Sequence, residues 1–88
     1  MRVLCVGRIQ FRYTQRIRKE IREQIERKTA ARIEEATFQY SDVEGERAEF
    51  TGRAYLKDGR LFSFFGVFTP DDGVEIMWTQ LEGTQISM

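Results

Sequence analysis

The chain has no histidine, one cysteine (Cys5), one proline (Pro70) and no long apolar run. Each shortage removes a class of function. Without histidine, the side chain most often used to move protons near neutral pH is missing. One cysteine forms no intrachain disulfide and falls short of the several thiolate or imidazole ligands of a zinc site. The apolar stretch Val3-Leu4-Cys5-Val6 is too short for a signal-peptide core, and no segment approaches the roughly 20 apolar residues of a membrane span. These shortages predict a cytoplasmic protein in a reducing compartment, with no membrane partner. No glycine-rich phosphate loop is present, since Gly7 stands alone. In its apolar run Cys5 reads as a small hydrophobe rather than a nucleophile. Asp71 and Asp72, with Glu75 nearby, read as solvated turn acids rather than a metal site. The expectation is a non-enzymatic chain with no cofactor and no metal.

What the sequence does have is charge, at 32% of residues, divided unevenly. Residues 1–32 carry ten basic and three acidic side chains, and residues 33–88 carry four basic and eleven acidic ones, so a net charge of zero hides two opposed halves. Such asymmetry suits a polyanion, an acidic protein or a second copy of the chain as partner. With 88 residues and 12% aromatics the composition is globular. It reads as a single domain over 1–88, with a polar C-terminal tail from about 81 to 88, and with a modest core.

The hydrophobic pattern changes period along the chain. Val3 to Val6 reads as a short buried strand, which the alternation from Gly7 to Tyr13 extends. Thr14 is placed to cap a helix running to about Glu35, with Ile17, Ile21 and Ile25 forming a narrow apolar stripe that Ile33 and Ala36 continue. Arg16–Glu20, Lys19–Glu23, Arg22–Glu26 and Glu23–Arg27 are spaced for ion pairs along it. From Ala36 the period is two. Phe38 and Tyr40 share a face, as do Ala48, Phe50, Gly52, Ala54 and Leu56. Lys57-Asp58-Gly59 and Thr69-Pro70-Asp71-Asp72-Gly73 are turns that separate strands at 61–68 and 74–79. The order β-α-β-β-β-β predicts an α+β fold in which one long helix packs on a curved antiparallel sheet.

That element order resembles the cystatin/monellin architecture. Cystatins that inhibit papain-like proteases carry a Gln-x-Val-x-Gly hairpin after the first strand that follows the helix. The matching residues here are Ser41-Asp42-Val43-Glu44-Gly45, which keep the valine and glycine but not the glutamine, and the 69–73 turn has no counterpart of that family's second-hairpin tryptophan. The resemblance implies the frame, with a small-ligand or enzyme domain on it as one alternative function.

Two apolar faces on one strand carry the most specific expectation. In Leu61-Phe62-Ser63-Phe64-Phe65-Gly66-Val67-Phe68, the side chains of Phe62, Phe64 and Phe68 point one way and those of Leu61, Phe65 and Val67 the other, with Met77 on this second side. One helix covers one face of a sheet, and antiparallel sheets ordinarily leave the other face polar. Leu61, Phe65, Val67 and Met77 are therefore predicted to form a partner-binding or dimer face, unless the sheet curls or the N-terminal segment folds over them. The first functional expectation is a small protein–protein interaction module, homodimeric or part of a complex. It would occupy a partner's surface, as compact inhibitors from phages and mobile elements do. The alternative is a nucleic-acid module, or one binding an acidic protein, that uses segment 8–32. There Arg8, Arg12, Arg16, Lys19 and Arg22 would contact phosphates, and Phe11 and Tyr13 would stack on bases. Glu44, Glu46, Glu49, Asp58, Asp71, Asp72 and Glu75 form a candidate acidic surface for a basic partner.

Overall fold

A computed structural model describes residues 2–81. Its elements follow the order β1 (Arg2–Cys5), α1 (Thr14–Thr29), β2 (Ile33–Glu44), β3 (Arg47–Leu56), β4 (Leu61–Thr69) and β5 (Gly73–Gln80). The strands form one sheet in sequence order, β1-β2-β3-β4-β5. Three hairpin neighbours pair antiparallel, and β1 pairs parallel with β2. That parallel pair needs a long crossover, which α1 supplies. The result is the expected α+β arrangement, a mostly antiparallel sheet with one helix across one face. The polar tail lies outside the described residues except for Leu81.

The core lies between α1 and the inner face of the sheet. Ile17, Ile21 and Ile25 are sealed from solvent and sit over Phe38, Phe50, Phe64 and Phe68. The rings meet edge to face, Phe38–Phe50 at 5.5 Å and Phe50–Phe64 at 6.3 Å between centroids, a geometry that favours aromatic pairs beyond simple burial. Two glycines make room for them. A Cβ on Gly66 would enter the Phe50 ring, and one on Gly52 would meet the Thr37 carbonyl and the Phe64 ring. Irregularities in the β2–β3 register between Ile33 and Glu35 and between Tyr40 and Asp42 are the kind of insertion that bends a strand.

Three local expectations are corrected. The helix stops at Thr29, six residues before Glu35. Ala30 turns into the left-handed region at φ 57° while its N–H still donates to the Glu26 carbonyl. Ile33 then belongs to the sheet, and its N–H donates to the Glu26 carboxylate at 2.9 Å. The free carbonyl of Thr29 accepts from the Arg60 guanidinium at 3.1 Å, so the helix end is satisfied by its neighbours. Thr14 is not the cap either, since Tyr13 occupies that position without a side-chain bond. The Thr14 hydroxyl is drawn backward, donating to the Phe11 carbonyl at 2.8 Å and sharing a 2.5 Å hydrogen bond with the Tyr40 hydroxyl. Finally, β1 ends at Cys5, and residues 6–13 run outside the strands toward the helix. Phe11 and Tyr13 pull this segment inward by packing on Phe68 at 5.9 and 5.1 Å.

Candidate functional site

Strand register arranges the face away from the helix in rows. The middle row runs Gln39, Thr51, Phe65, Met77 across β2 to β5. Val6, one residue past the last β1–β2 pair and donating its N–H to the Phe38 carbonyl, extends that row at the opposite edge. On one side lies the row Asp42, Glu49, Val67, Glu75, and on the other the row Leu4, Thr37, Arg53, Ser63, Thr79. The face is therefore a hydroxyl-rich surface with an apolar pair, Phe65 and Met77, toward the β5 edge, carboxylates at one end and Arg53 toward the other. Thr51, Ser63, Phe65, Met77 and Thr79 line a shallow depression there.

The four residues predicted for this face divide. Met77 stands 71% exposed, and Phe65 and Val67 are half-buried. Leu61 is only 7% exposed. It sits at the start of β4 beside Tyr55, where the Leu81 N–H bonds to its carbonyl, so it offers little contact surface. Val6, Thr51, Arg53 and Tyr55 belong to the face and were not singled out by the sequence. Alternation places the β3 residues outward, but only strand register sets them beside Phe65.

The basic segment is reorganised in the same way. Phe11 and Tyr13 are not free platforms. Phe11 packs on Tyr13, Tyr40 and Phe68, and the Tyr13 hydroxyl donates to Glu46 at 3.2 Å. Arg12 pairs with Glu46 at 3.7 Å, and Arg16 bonds Glu20 at 3.0 Å with its guanidinium 5.2 Å from the Phe68 ring. Arg8 is exposed. Lys19 and Arg22 come together instead with Arg2 and Arg18 in a groove between α1 and β1, also lined by Val3, Leu4 and Gln15 and holding no carboxylate. Arg18 is anchored there by donating to the Val3 carbonyl at 2.9 Å. The spacing of Arg18 and Arg22, one helical turn apart, is the sequence signal for this grouping.

The candidate acids do not make one continuous surface, although all but Asp58 gather toward one end of the sheet. Glu44 and Glu46 flank the β2–β3 turn, and Asp71 and Asp72 occupy the β4–β5 turn, all exposed. Glu49 faces outward and pairs with Arg47 at 2.9 Å. Asp58 lies at the opposite end, where bonds from Arg60 hold its carboxyl below the usual aspartate range. Burial pushes the Cys5 thiol up, only partly countered by the nearby Arg18 charge, which suits a packing role. Burial likewise raises the Tyr40 phenol, opposed by its bond with Thr14. No helix among the described residues is long and apolar enough to cross a membrane.

Comparison with protein-family models, with curated proteins and with solved structures finds no match to this chain. The likeness to cystatins is thus one of element order, and the described residues form an α+β arrangement of one helix on a five-stranded sheet.

Proposed function

We propose that this chain is a non-enzymatic protein-binding module that works by laying the open face of its sheet on another protein surface. The observation that carries this reading is the pair Phe65–Met77 on that face, directly opposite one another on β4 and the edge strand β5, with Met77 71% exposed. Large apolar side chains contribute roughly 1.5–3 kcal/mol each when fully removed from water. Methionine and aromatic side chains are enriched at contact surfaces. The test is a photoreactive amino acid at position 77, with a control at Lys19 on the helix, activated in the native host. Adducts to protein from position 77 but not from position 19 support the reading. Adducts confined to position 19 overturn it.

A second reading rests on the groove that brings Arg2, Arg18, Lys19 and Arg22 together in a lining that holds no carboxylate. It takes a nucleic-acid backbone as ligand. Its test is fluorescence titration with single-stranded and duplex nucleic acid at two salt concentrations, where phosphate contacts require affinity to fall steeply with salt. Absence of binding at low salt eliminates it.

A further inference from the structure

We infer that the occupant of the open face is a second copy of this chain, stacked sheet on sheet about a two-fold axis that runs along the middle row, perpendicular to the strands. This rests on the protein-binding reading above and adds the partner and the geometry.

A two-fold interface must be complementary to itself, because each residue meets the image of the same surface. The rows of the open face meet this condition for one axis and not for the other. With the axis along Thr51–Phe65–Met77, each strand lies over its own copy running in the opposite direction. Phe65 then meets Phe65, and Met77 meets Met77. On β3, Arg53 and Glu49 lie one row to either side of the axis, so Arg53 of each copy falls over Glu49 of the other. Ser63 falls over Val67, and Thr79 over Glu75, so no carboxylate in these rows faces another. With the axis parallel to the strands through β4, β3 falls over β5 instead, and Glu49 faces Glu75 across the interface. Like charges set directly opposite are strongly disfavoured there.

The dimensions agree. Packed sheets lie about 10 Å apart, a gap that an arginine and a glutamate side chain span together. The two residues sit on β3, the central strand, where the usual rotation of about 30° between stacked sheets displaces them least. Five strands about 4.8 Å apart, over three rows about 6.8 Å apart, give a face of roughly 490 Å² in projection. That is below the about 800 Å² per partner of a standard-size interface and fits a weak, reversible dimer. Head-to-tail stacking of the basic helix side on the acidic sheet end would not close and would grow into fibres.

The test is sedimentation equilibrium of the full chain from about 1 to 500 μM, with circular dichroism confirming that each variant is folded. The wild type is expected to dimerise and stop. Arg53→Glu and Glu49→Arg should each weaken the dimer by about tenfold or more, and the double exchange R53E/E49R should return it to within about threefold of the wild type. Neither side chain is part of the core, so folding should survive. A monomer throughout, open-ended growth, or a dimer indifferent to the single exchanges overturns the inference, as does a double exchange that does not recover. A monomeric wild type whose position 77 still cross-links to a different protein would sink the second copy alone and leave the protein-binding reading standing. A dimer unaffected by both Phe65→Glu and the charge exchanges, with no adduct at 77, would sink both.

Discussion

Phe64 and Phe65 are neighbours in sequence and belong to different environments. Phe64 points toward the helix and is 3% exposed, while Phe65 points away and stays half-open. The same contrast runs through the sheet. Its inner face holds interlocked rings, isoleucines and two glycines cut to fit them, and its outer face holds threonines, Ser63 and charges beside Phe65 and Met77. Period-two alternation produces both faces equally well. What separates them is the single helix, which gives one side a lid and leaves the other to the surroundings. Parity assigns an apolar residue its side, and the helix seals one of the two sides.

The sharpest way to break this contrast is to shorten one side chain on each face. Phe50→Ala should cost about 3–5 kcal/mol of unfolding free energy in a denaturant titration, because Phe50 is sealed among Phe38, Phe64 and the Gly66 backbone. Met77→Ala in the monomeric state should stay within about 0.5 kcal/mol. Equal costs would refute the division. Next in size is Gly66→Ala, expected to lose about 1–3 kcal/mol by overpacking, since the added methyl has no space beside Phe50. Smaller still is Glu20→Ala, at about 1–2 kcal/mol. It strips a partner from the part-buried Val74 N–H, and amide exchange at Val74 should quicken more than at Met77. The smallest effect belongs to Asp58. Its carboxyl titrates below its ordinary value of 3.8 because Arg60 bonds to it. A lowered folded value favours the ionised form in the native state, so the stabilisation is present above that ordinary value and fades as pH falls through the folded one. Asp58→Asn should flatten this acid-side dependence slightly, read from thermal melts between pH 2 and pH 6, with no effect near neutrality.

The faces were legible in the sequence because alternation is a local property. Phe38, Phe50, Phe64 and Trp78 all lie on the side their spacing indicates. The helix end was not legible. Ile33 and Ala36 continue the isoleucine stripe arithmetically, and Thr-Ala-Ala-Arg contains neither glycine nor proline, so nothing announces that Ala30 turns left-handed. The burial of Leu61 was hidden for a different reason: parity assigns a side, whereas exposure depends on which chain runs alongside. The basic aromatic segment misled in the same way. Phe11 and Tyr13 alternate with arginines as stacking platforms would, yet both are spent closing the end of the core around Phe68. The groove of Arg2, Arg18, Lys19 and Arg22 needs β1 laid beside α1, which no local pattern specifies.

Glu20 and Gln24 reach from the helix to one residue at the start of the last strand, the carboxylate accepting the Val74 N–H at 2.9 Å and the amide donating to the Val74 carbonyl at 2.6 Å. Both main-chain groups of that residue are thereby already engaged on the rim of the sheet. A foreign β-ribbon creeping along this border would find its first rung occupied and would have to begin at Ile76. Two side chains thus act as a bolt against runaway lateral polymerisation, a hazard of any sheet with an uncovered margin.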